Sequence, residues 1–160
     1  MLLKDFIDFN PKETLPKNIF RKISMDQVIP FSRNVVSSTF ETFKGGSKFR
    51  NGDTIMARIT PCLENGKTAY ISTLNENEVA FGSTEFIVAR AKKDVSLPLF
   101  VYYLLCSKNV REHAILSMTG SSGRERVQQY MLDNLEIPEY PLPYQQHIVN
   151  IIQSLQEEYL

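Results

Sequence analysis

The chain has 160 residues, enough for one domain with a buried core. It is 42% hydrophobic and 22% charged, ordinary for a soluble globular chain, and no run of about 18 apolar residues is present to form a membrane-spanning helix. Zero net charge hides an asymmetry: the first 132 residues hold all 18 bases and 13 acids, a net of +5, and the last 28 hold five acids, which permits a polyanionic partner for the body though a solvated mixed surface explains the same numbers.

The opening "MLLKDFIDFNPKE" has an early Asp5 and no long apolar region, so it does not read as a signal peptide. "NIFRKISMDQVIPF" mixes a strand-like run with a short helical turn that Ser24 can cap. "TFETFKGGSKFRNGDTI" reads as loop, with turn signals at Gly45-Gly46 and Asn51-Gly52. "DTIMARIT" and "KTAYIST" read as strands, and Asn65-Gly66 between them fits a primed turn. "EVAFGSTEFIVARA" reads as two strands broken at Gly82-Ser83.

"SLPLFVYYLLCSKNVREHAI" is the clearest helical region: Ser96 can cap it, Pro98 suits its first turn, and Asn109 can cap a second helix. "SMTGSSGRERVQQ" is a polar loop followed by basic residues. "LEIPEYPLP" is extended, because each proline restricts its predecessor. "YQQHIVNIIQSLQEEYL" is helical, with a seam of Ile148, Ile152, Leu155 and Tyr159 spaced to meet another helix. That seam is expected either to fold back on its own domain or to pair with a second copy.

Catalytic chemistry finds little support. Cys62 as a nucleophile needs a base, and only His113 and His147 exist, neither in a recognisable context. Cys62 and Cys106 lack CxxC spacing, match no zinc pattern, and read as reduced thiols of a cytoplasmic protein. "TGSSGRERV" lacks a phosphate-loop framework. A binding module fits better. Phosphates are met by Lys, Arg, Ser, Thr and backbone N–H groups, and base edges by Arg, Lys, Asn and Gln. The candidates are Lys44, Lys48, Arg58, Thr60, Asn65, Lys67, Thr84, Ser121, Ser122, Arg124, Arg126 and Gln128. Each Ser, Thr or Asn among them can equally serve its own turn. Glu85 can accept from a cytosine amine or pair internally with an arginine.

Four stretches, "KFRNGDTIMARITPCLENGKTAYI", "GSTEFIVAR", "MTGSSGRERV" and "IPEYPLPYQQHIVNII", together resemble the target-recognition domain of type I restriction–modification specificity subunits, in the same order over nearly the whole chain. Tyr144 departs from the acidic residue or alanine expected before the glutamine.

The resemblance implies an α+β fold: a twisted, mostly antiparallel sheet with flanking helices and a C-terminal helix leaving the body. Residues 1–142 are expected to form the recognition domain and 143–160 the start of a conserved spacer helix. It implies recognition of a half-site in double-stranded DNA, no catalysis by this chain and no cofactor on it. Modification (methyltransferase) subunits and a restriction subunit are the implied partners, with no membrane role. Subunits of this kind usually carry two such domains and two antiparallel helices, so the chain is expected to be a half-subunit, a truncated product or an excised piece. A homodimer through the C-terminal helix would rebuild the pair. Within the family the TPCxxNGK segment is expected to serve the framework, with Cys62 packing, Lys67 on phosphate, and base reading in residues 40–50 and 117–128. The alternatives are a solitary regulatory module that binds no DNA and a cysteine-dependent enzyme.

Overall fold

A computed structural model describes residues 1–159; the side chains of Glu158 and Tyr159 lie outside the described set. A one-turn helix α1 (Leu3–Phe6) leads into β1 (Ile7–Phe9), followed by β2 (Ile19–Ile23) and a 3-10 turn at Met25–Gln27. Six strands come next: β3 (Thr39–Thr42), β4 (Ser47–Phe49), β5 (Thr54–Ala57), β6 (Thr68–Tyr70), β7 (Ala80–Gly82) and β8 (Phe86–Ala91). The helices α2 (Pro98–Cys106), α3 (Lys108–Leu116), α4 (Gln129–Asp133) and α5 (Leu142–Tyr159) complete the chain. The fold is α+β.

The strands form two four-stranded sheets, ordered β1-β8-β5-β6 and β3-β2-β7-β4. Every pairing is antiparallel except β2 with β7. The first sheet has apolar partners on both faces. Met56, Ile87 and Ala89 join a core with α1, α2, α3 and α5, whereas Ile55, Ala69 and Val88 join a second core with Ile23, Phe49 and Ala80 of the other sheet. Alternate residues of β5 and β8 thus serve different cores, which is why both segments read as continuous apolar runs. The short Gly82–Phe86 connection passes the chain from one sheet to the other.

Several local expectations are corrected. The segment expected to be loop contains β3 and β4, the two edge strands of the second sheet. All four β3 residues are exposed, so burial imposes no alternation, and β4 is only three residues long. Gly46 is needed for close approach: a Cβ there would collide with the Gly82 carbonyl. β5 and β6 do pair as a hairpin, but no two-residue primed turn joins them. Residues 58–67 fold into a helix-like loop, in which Leu63 N–H donates to Ile59 O at 3.1 Å and Asn65 N–H to Pro61 O at 3.0 Å.

Ser96 does not cap α2; its hydroxyl donates to Phe6 O at 2.7 Å, and the cap position is Leu97. Asn109 sits inside α3, whose cap position is Ser107. At the 3-10 turn the side chain of Gln27 reaches back to the Ser24 N–H at 2.9 Å.

The C-terminal helix meets the body through Gln145 and Val149, with Ile148 of the expected seam packed against the same core. Gln145 is fully buried and Val149 nearly so. The Gln145 carbonyl accepts from Leu97 N–H at 2.8 Å, and its amide donates to Val95 O at 2.9 Å and Tyr140 O at 2.7 Å. This one side chain therefore fastens α5 to the start of α2. Ile148 and Ile152 are half-buried, Leu155 is 49% exposed, and the Tyr159 side chain lies outside the described residues. Further along, Arg33 donates to Tyr103 at 2.8 Å and Gln153 at 2.6 Å, bridging the 31–36 segment to α2 and α5.

Candidate nucleic-acid interface

The second sheet and the turn leaving it border two adjoining grooves of mixed polar and apolar lining. One, of about 610 Å³, runs between Lys22, Thr42, Lys44 and Thr84. The other, of about 500 Å³, lies between Lys12, Lys48, Arg58 and Thr84. Gly46 and Thr84 border both, so the grooves form one surface. Its acids are partly neutralised: Glu41 meets Lys22 at 3.6 Å, and Glu13 meets Arg50 at 2.5 Å and Arg90 at 3.1 Å.

Of the residues singled out by sequence, Lys44, Lys48, Arg58 and Thr84 come together here. The Lys48 ammonium also sits 5.4 Å from the centre of the Phe43 ring. Lys12 and Lys22, which sequence reading passed over, complete the rim. Both stand in stretches with no motif, and chain folding alone brings them to the others.

A second group belongs to the 117–128 segment. Ser121, Ser122 and Arg124 are exposed there, and Arg124 N–H donates to Ser121 O at 2.9 Å. Gln128 donates to the Thr119 hydroxyl. The two groups meet through one carboxylate. Glu85 accepts from Arg126 Nε at 3.0 Å and Nη2 at 2.9 Å, and from Arg58 Nε at 3.2 Å. Hydrogen bonding from Arg126, with a further contribution from Arg58, holds the Glu85 carboxyl below the usual range against the opposing effect of burial. The ambiguity at Glu85 thus resolves to an internal pair.

The remaining candidates are spread along the 58–67 loop. Thr60 lies beside the second group, its N–H donating to Glu125 O at 3.0 Å and its hydroxyl to Glu64. Asn65 is exposed. Lys67 Nζ donates to Met25 O at 3.0 Å, so its ammonium ties this loop to the 3-10 turn. Cys62 is half-buried against the first core. The His113 ring contacts Met131 O at 2.9 Å, and no hydrogen bond joins either histidine to Cys62 among the described residues. No group of three or more His, Cys, Asp or Glu among the described residues could hold a metal ion, and no described helix is long and apolar enough to cross a membrane.

The EcoAI type I restriction enzyme specificity subunit of Escherichia coli is 39% identical over 106 residues, covering 66% of this chain and 18% of its own length. The EcoEI specificity subunit of the same organism is 37% identical over 120 residues, covering 72% of this chain and 19% of its own. The chain therefore spans about a fifth of these relatives. In fold it is similar to the HsdS subunit of Thermoanaerobacter tengcongensis, with a TM-score of 0.73 at 23% identity over 90% of this chain and 37% of that one. A chain from a structure describing assembly and conformational transition of a type I R-M system gives a TM-score of 0.72 at 20% identity, over 96% of this chain and 43% of that one. The family described as "Type I restriction modification DNA specificity domain" matches residues 1–159, from the first helical turn through α5, and the chain belongs to that family.

Proposed function

We propose that this chain recognises one half-site of a double-stranded DNA target as the specificity component of a type I restriction–modification system, without catalysis of its own. Modification and restriction subunits supply the chemistry. The observation that carries this reading is the continuous grooved surface rimmed by Lys12, Lys22, Lys44, Lys48 and Arg58 around Thr84. Long cationic side chains around a concavity suit a phosphate backbone, which sets register and supplies salt-dependent affinity. Lys67, Asn65 and Thr60 serve the framework of the 58–67 loop, and Ser121, Ser122 and Arg124 extend the contact surface. Residues 1–142 act as the recognition body and 143–160 as the start of a spacer helix.

A gel-shift titration with duplex DNA at several salt concentrations tests this reading. About four phosphate contacts give a slope of log affinity against log salt near −4, so affinity falls roughly 200-fold between 50 and 200 mM. Binding that ignores salt, or no binding at the lowest salt, refutes the proposal and favours a regulatory module that binds no DNA.

The finer partner reading is a homodimer through α5. Phe31 is 73% exposed and Leu155 49%, and with Ile152 they border a groove of about 460 Å³. A second α5 laid antiparallel would cover it, and a two-fold dimer would select an interrupted palindrome. Sedimentation at micromolar concentration decides. A dimer that Leu155→Asp splits supports the pairing, and a monomer at all concentrations ends it.

A further inference from the structure

We infer that Arg58 reads a guanine in the DNA target and that Glu85 is the positioning residue that aims it; this rests on the DNA-binding reading above. The backbone of Arg58 is pinned from both sides, its N–H donating to Glu85 O at 2.9 Å and its carbonyl accepting from Val127 N–H at 2.8 Å. Its side chain is held at one point only, by Nε donating to Glu85 Oε2 at 3.2 Å. Neither terminal nitrogen has a hydrogen-bond partner among the described residues, and the side chain is 40% exposed at the groove it shares with Lys12, Lys48 and Thr84.

The other guanidinium on Glu85 differs. Arg126 places Nε and Nη2 on the carboxylate and Nη1 3.3 Å from Arg124 O, so all three nitrogens are engaged within the chain. Arg126 is a strut that fixes the carboxylate, and Arg58 is what the carboxylate fixes. An arginine braced through Nε keeps a planar pair of Nη donors, the fork that matches O6 and N7 of guanine in the major groove. A braced side chain loses little rotamer freedom on contact, which favours selective recognition over the loose attraction that a lysine gives a phosphate. Base reading is thereby placed at the end of the β5 ladder, outside both loops that the sequence singled out.

The test uses the full chain and a randomised 20-base-pair duplex library, with sequencing of the bound fraction. Binding of wild type, Arg58→Lys, Arg58→Ala and Glu85→Gln to the preferred duplex is then compared across salt concentrations. Arg58→Lys keeps the charge and loses the fork. The expected result is that wild type selects guanine at one position, that Arg58→Lys relaxes that position alone by roughly 10- to 100-fold with an unchanged salt slope, and that Glu85→Gln relaxes the same position. If Glu85→Gln does not fold, Arg58→Lys decides alone. A retained preference in Arg58→Lys overturns the inference. So does a uniform loss in Arg58→Ala with a salt slope reduced by about 1, which marks a phosphate contact. Wild-type selection at some positions with no preference for guanine at any of them overturns this inference and leaves the DNA reading standing, whereas binding without preference at any position, or no duplex bound at low salt, overturns both.

Discussion

Replacing Gln145 by alanine is the sharpest probe of how the recognition body holds its C-terminal helix. Gln145 is completely buried and makes three hydrogen bonds to backbone groups outside its helix: Leu97 N–H and Val95 O before α2, and Tyr140 O in the turn leading into α5. The substitution leaves each of these groups without its partner. A buried polar group left unsatisfied costs about 1–3 kcal/mol, and water entering the vacated space recovers part of that. A loss of about 3–5 kcal/mol is therefore expected, with a fall in Tm of about 10 °C or more for a chain of this length. The neighbouring Gln146 is the control. It is exposed and its amide meets only Asn150 on its own helix, so Gln146→Ala is expected within about 0.5 kcal/mol of wild type. Urea denaturation of both variants, followed by far-ultraviolet circular dichroism, measures the difference. Equal midpoints for the two variants would refute the claim that this glutamine fastens α5 to α2. A second outcome would locate the effect: loss of protection in α5 alone by hydrogen exchange means the helix detaches while the sheets stay folded.

Three further predictions concern the charged groups and the cysteine. Hydrogen bonding from Arg50 above all, and from Arg90, holds the Glu13 carboxyl below its usual range against burial. Its contribution is complete above the unfolded glutamate value of about 4.3 and lost as pH falls through the lower folded value, so the urea midpoint should drop more steeply from pH 5 to pH 3 in wild type than in Glu13→Gln; parallel profiles would refute this. Arg124 is exposed, with no side-chain ion pair among the described residues, so Arg124→Ala should leave Tm unchanged and weaken duplex binding equally for all sequences, reducing the salt slope by about 1. An unchanged slope means the side chain is solvated away from DNA. Cys62→Ser places a hydroxyl where a half-buried thiol packs on the first core, and should cost about 1–2 kcal/mol in thermal denaturation while leaving the gel shift intact. Loss of DNA binding in a folded Cys62→Ser chain would contradict its packing role.

What the sequence determined by itself is the local and the pairwise. Pro98 at the start of α2, the Gly82-Ser83 break between β7 and β8, and the β5–β6 hairpin follow from backbone preferences and apolar runs that act over a few residues. The family was likewise legible, because its motifs stand in order along the chain. The tertiary structure decided the rest. β3 is exposed along its whole length and β4 holds three residues, so no periodicity announces an edge strand, and only the parallel β2–β7 pair gives them a sheet to join. The helix seam was read as Ile148, Ile152, Leu155 and Tyr159 because those are its apolar positions, yet a buried amide at Gln145 anchors it. A polar side chain becomes a core residue only when backbone groups converge on it, here Val95 and Leu97 from a distant segment and Tyr140 from the turn before the helix, and no spacing along one helix can encode that convergence. The same holds for the grooved surface. Lys12, Lys22, Lys48 and Arg58 are scattered over 47 positions of the chain, and two sheets had to form before their charges could share a rim.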